Sequence, residues 1–104
     1  MTPDECQDMS DIRREIDVID QQVIQLWGRR KGFVQAASKF KTSAHKVKAP
    51  QRFQSMLETR REWAVAAQLD PDIVEQLYSD LVNYFIEMEM KEWQSRESKS
   101  EAKD

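Results

Sequence analysis

Glycine and proline are scarce, two and three in 104 residues. Such a chain has little means of making frequent tight turns, and it contains no Asn-Gly or Asp-Gly hairpin signal. No long run alternates apolar with polar residues, so strands are not expected. The one cysteine, Cys6, excludes an internal disulfide, and no metal-ligand spacing surrounds it. A reducing cytoplasm is then the default compartment. No apolar run is long enough to span a bilayer, and the N-terminus lacks the basic-then-apolar pattern of a signal peptide. A net charge of −3 provides no global basic field for nucleic acid. There is no nucleophile–base pair, glycine-rich phosphate loop or metal motif, so neither cofactor nor metal is expected.

What remains is abundant Leu, Met, Glu, Gln, Lys, Arg and Ala, which favours helix. The expectation is an all-α fold in one domain over residues 1–94, with a polar, disordered tail at 95–104. Residues 1–9 are polar and expected to be loose. Ser10 is a candidate N-cap, with Asp11 in the first turn suited to the helix dipole. The first helix runs from there to 38–41, interrupted by Gly28, which reads as a point of close packing against another helix. Residues 42–49 form the only substantial internal loop, and His45 within it faces solvent. Pro50 suits the first turn of a second helix reaching Gln68. Phe53, Met56, Leu57, Arg60, Ala64 and Ala67 mark its inner side. Asp70-Pro71-Asp72 opens a third helix ending near Trp93. Its inner face carries Val74, Leu77, Tyr78, Leu81, Val82, Phe85, Met88 and Glu89.

The first helix organises the chain. Ile12, Ile16, Ile19, Val23, Leu26, Arg30, Phe33 and Ala37 recur at alternating steps of four and three, the spacing of interlocking helices. At 1.5 Å per residue it is about 45 Å long. Two shorter helices cannot cover such a seam within a compact chain of this size. A second copy is the natural partner, and a two-fold dimer the commonest solution.

Arg30 stands in that seam where a Leu or Ile belongs, and Glu89 is a second charge on an apolar face. Lys41 lies at the first helix's end. Arg52 lies in the first turn of the second, where a cation opposes the helix dipole. Two readings fit these charges. Arg30 and Glu89 could form one buried interhelical ion pair that fixes register. Alternatively, cations line a small pocket for a compact dicarboxylate, and any enzyme here works by positioning and electrostatics.

The same residues carry a resemblance. Asp11-Ile12-Arg13 with Ile16-Asp17 and Ile19-Asp20 resembles the opening helix of the AroQ-type chorismate mutases. Gly28-Arg29-Arg30, Val34, Ala36-Ala37-Ser38-Lys39-Phe40-Lys41, Ala49-Pro50 with Arg52, and Trp93 resemble more specifically the isochorismate-pyruvate lyases of salicylate and siderophore pathways. Thr2-Pro3 and Cys6 fit the same pattern, which covers residues 2–94. The resemblance outweighs the ion-pair reading. It implies an intertwined homodimer of three-helix chains with two equivalent sites. It implies that Arg30, Lys41 and Arg52 serve a site in their own protomer while Arg13 reaches in from the partner. Arg13 and Arg30 would hold substrate carboxylates, Lys41 would bind near the ether oxygen, and Arg52 would be a further cation at the edge. By periodicity alone Arg13 is merely a surface arginine.

The chain departs from the lyase pattern at Glu89, where lyases and bacterial mutases usually have glutamine. That amide donates to the ether oxygen, which an ionised carboxylate cannot do. Fungal mutases carry Glu here and use it protonated. Burial favours the acid and neighbouring cations favour the carboxylate, so the sequence leaves both open. The implied activity is cofactor-free conversion of isochorismate to salicylate and pyruvate, with weak mutase activity. A dedicated chorismate mutase is the near alternative, and a non-catalytic helical dimer with a decayed site the distant one.

Overall fold

The computed structural model describes residues 1–103, with side chains as far as Ser98. The expectation of an all-α chain holds: no strand occurs among the described residues. A 3-10 turn at Pro3–Glu5 precedes α1 (Met9–Ser38), α2 (Ala44–Lys48), α3 (Pro50–Ala66) and α4 (Pro71–Lys103). Contacts group the chain into two compact units, Met1–Phe33 and Val34 onward, so α1 contributes to both.

In the first unit, the segment expected to be loose forms a short turn. The Thr2 hydroxyl and amide both donate to the Glu5 carboxylate. These bonds, the hydroxyl's first, hold the Glu5 carboxyl below its ordinary value. The turn therefore keeps this support above the usual carboxylate range and loses it only as pH falls through the lowered value. Helix α1 begins at Met9, one residue before the expected Ser10 cap. Asp8 caps it instead, its Oδ1 accepting from the Asp11 amide at 2.9 Å. Asp11 returns the favour by accepting from the Gln7 amide at 3.1 Å. The apolar seam lies open within the chain: Ile16, Ile19 and Leu26 are 50–56% exposed and Phe33 is 73% exposed. Among the described residues of the single chain, no helix packs against Gly28, which is expected to mark close packing against another helix. A Cβ added there or at Gly32 would meet nothing within 4 Å.

In the second unit, the expected loop is partly helical. Ser43 caps α2 by accepting from the Lys46 amide at 3.2 Å. Val47 is buried, His45 is exposed, and Ala49 ends the turn in a left-handed conformation with φ of 41°. Pro50 then takes the first position of α3. Met56, Leu57 and Ala64 from α3 and Val82 and Phe85 from α4 are buried, the core between two helices that pack side by side. Ala67 is exposed and lies just past the end of α3. Leu77, expected inward, is 60% exposed. Arg60 lies over the rings of Trp63 and Tyr78, at 4.5 and 5.6 Å. Its position on the inner side thus has an aromatic explanation. Asp70 caps α4 as expected, accepting from the Asp72 amide at 2.9 Å. Across the turn, Arg61 bonds Asp72 and Glu75, each at 2.8 Å. The Asp72 bond above all raises the guanidinium above its ordinary pKa.

Helix α4 does not stop at Trp93 but continues to Lys103. The expected tail at 95–104 lies partly outside the described residues, since Asp104 and the side chains beyond Ser98 are not among them. Among the described residues no helix is long and apolar enough to cross a membrane.

Candidate active site

Glu89, Glu92, Trp93 and Arg96 are spaced three, one and three residues apart, which puts them on one face of α4. Gln35, Ser38 and Lys41 follow each other at steps of three along the last turn of α1 and just past it. The two sets meet. Gln35 Nε2 donates to Glu92 Oε1 at 3.3 Å. Arg96 Nη2 donates to the Ser38 hydroxyl, which in turn donates to the Gln35 carbonyl at 2.7 Å. The indole Nε1 of Trp93 donates to the Lys41 carbonyl at 3.2 Å. Finally, the Lys41 ammonium lies 2.9 Å from Glu89 Oε1.

Burial sorts these groups. Ser38 and Glu89 are 1% and 3% exposed, whereas a quarter of the Lys41 side chain remains accessible. A carboxylate so enclosed is costly unless a cation meets it, and here the cation is Lys41. Glu92 and Arg96 add a looser pair at 3.8 Å, one helical turn apart.

Local sequence explains why Lys41 lies where it does. Helix α1 ends in tightened turns, with Lys39, Phe40 and Lys41 amides bonding the carbonyls three residues back at 3.0–3.3 Å. Lys41 therefore lies just past α1, two residues before the Ser43 cap of α2. It stands at a junction, opposite the α4 turn that carries Glu89.

Of the five residues singled out in sequence, the structure brings Lys41 and Glu89 into contact. Arg52, the third residue of α3, is exposed. Arg30 and Arg13 belong to the first unit, where Arg30 is half-buried in the α1 seam and Arg13 is exposed. Sequence reasoning missed the support behind Lys41. In sequence Trp93 marks a helix end and part of the resemblance only, and Ser38, Gln35, Glu92 and Arg96 carry no role. A usable signal existed: Glu92, Trp93 and Arg96 repeat at helical spacing from the anomalous Glu89.

Comparison with known proteins adds an independent line. The family described as chorismate mutase type II matches residues 12–90, which include Arg13, Arg30, Lys41, Arg52 and Glu89. The isochorismate pyruvate lyase of Pseudomonas aeruginosa is 40% identical over 92 residues, 88% of this chain and 91% of that protein. With helices throughout and the match extending over most of its length, the chain belongs to the chorismate mutase type II family.

Proposed function

We propose that the protein is an isochorismate-pyruvate lyase with weak chorismate mutase activity. The observation that carries this reading is its similarity, across nearly the whole of both chains, to a protein named for that reaction. The chemistry needs no general base. The ether C–O bond of isochorismate breaks as a ring hydrogen moves to the departing enolpyruvyl carbon, and the ring becomes aromatic. Salicylate and pyruvate together account for every atom of the substrate. The protein's task is to fold a flexible dianion into the reactive pose and to stabilise charge growing on the ether oxygen.

In this proposal Arg13 and Arg30 clamp the carboxylates, Lys41 is the main electrostatic catalyst, and Arg52 is an auxiliary cation. Glu89 takes part when protonated, as a donor near the same oxygen. The working unit is an intertwined homodimer in which Arg13 serves the partner's site. The open apolar seam of α1 supports the dimer, because so many large side chains on one helix call for a covering surface.

A dedicated chorismate mutase is the second reading. Glu89 in place of the glutamine usual in lyases favours it. The deciding experiment incubates the protein separately with isochorismate and chorismate. Salicylate and pyruvate released in equal amounts from isochorismate, faster than prephenate from chorismate, support the lyase. The opposite ranking makes it a mutase, and binding without turnover of either makes it a decayed site.

A further inference from the structure

Lys41 has a problem that the proposed role makes acute. A lysine side chain has four rotatable bonds, so its ammonium is well placed only if its backbone is held. Yet Lys41 lies beyond α1, and neither it nor the next residue is part of a helix. Its amide is secured by the Ser38 carbonyl at 3.3 Å. On the other side of the residue, its carbonyl meets the indole N–H of Trp93, 52 positions away in sequence.

Resting on the assignment of Lys41 as the electrostatic catalyst, we propose that Trp93 is a positioning residue that holds the Lys41 backbone through its indole N–H. The surrounding contacts show that this point is built to be fixed. One turn further along α4, Arg96 bonds the enclosed Ser38 hydroxyl, whose residue also supplies the carbonyl that holds the Lys41 amide. One turn back, Glu89 meets the ammonium itself. Three successive contact points on one face of α4 thus fix the residue before Lys41's turn, its carbonyl and its side-chain tip. Trp93 is the member that touches the backbone of Lys41. It needs no contact with substrate to matter. Displacing a reacting group by about 1 Å can cost up to about a hundred-fold in rate.

Trp93→Phe keeps most of the aromatic bulk and deletes the donor. Losing one such bond is worth about a five-fold effect, and misplacement adds to it. The expected result is a kcat for salicylate formation lower by about five- to thirty-fold, with KM within about two-fold, since the carboxylate clamps are untouched. A merely structural tryptophan would depress the rate equally in any background. The second measurement therefore repeats the substitution in Lys41→Ala, where the effect on kcat should shrink below about two-fold. Unchanged kcat in the parent background, or the same fold-loss in both, overturns the proposal.

If Trp93→Phe does not fold, the unaltered chain still provides a test. Its Trp93 indole N–H resonance, assigned by elimination in Trp27→Phe and Trp63→Phe, should persist after transfer to heavy water. Immediate exchange, as for free indole, overturns the contact. A parent chain that turns over neither isochorismate nor chorismate defeats the functional reading alone, and the indole measurement then decides the contact by itself.

Discussion

The Lys41 ammonium lies 2.9 Å from Glu89 Oε1, and a dianionic substrate must compete with that arrangement. An ionised Glu89 holds the ammonium and repels the guest at once. Glu89→Gln keeps the shape, removes the charge and supplies an amide donor. Relief of about 1 kcal/mol of like-charge repulsion corresponds to about five-fold in binding. Where the carboxyl is ionised in the free protein, KM for isochorismate should fall by about that factor in Glu89→Gln. An unchanged or higher KM would mean that the carboxyl is already protonated when substrate binds. Lys41→Ala addresses the other member. If the ammonium stabilises charge developing on the ether oxygen, kcat should fall by about a hundred-fold or more, as for loss of a transition-state donor. A variant that stays folded by circular dichroism and keeps kcat within a few-fold of the parent would show that Lys41 is only the counter-ion that burial of Glu89 requires.

At the scale of helices, the starts were more legible than the ends. Asp70-Pro71-Asp72 and Ala49-Pro50 each join a proline to the first helical position, and α4 and α3 begin there. The start of α1 is ambiguous in sequence because Asp8 and Ser10 are both good caps. The three-residue reach to the Asp11 amide selects Asp8. Helix α2 is not legible in sequence because five residues with one buried apolar side chain display no period. The apolar repeat of α4 fades at Trp93, but no glycine or proline follows to break the helix. Of the candidate site residues, the inward charges at 30 and 89 are visible as breaks in pattern. The indole–carbonyl bond is not, because a backbone acceptor leaves no mark on residue type. The glycines of α1 offer a test at this scale. Gly28 and Gly32 lie one turn apart on the same face, with open space where a Cβ would go. Alanine at either should add about 1 kcal/mol to the helix. That is a rise in melting temperature of about 4–8 °C for a domain of this size. A fall in both variants would locate the close helix packing that the sequence suggested, and a second copy of the chain would have to provide it.

For the whole molecule, the decisive question is whether one chain completes another's site. The seam of α1 combines Ile16, Ile19, Leu26 and Phe33, all at least half exposed, with an exposed Arg13 that by itself has no evident task. In a two-fold dimer every contact occurs twice, so each Arg13 would serve the site built on the other chain's Lys41. Complementation separates this arrangement from one in which each chain works alone. Arg13→Ala and Lys41→Ala should each be nearly inactive. Mixed at equal amounts, unfolded and refolded together, half the dimers contain one chain of each kind. In those dimers the Arg13→Ala chain contributes an intact Lys41 and receives Arg13 from its partner, giving one complete site, while the other site lacks both. About a quarter of all sites are then whole, and salicylate formation should return to about a quarter of the parent rate. If Arg13 serves its own chain, each site in the mixed dimer lacks one residue or the other, and mixing restores nothing. Sedimentation of the mixture as a dimer without recovered activity would therefore keep the association and discard the shared site.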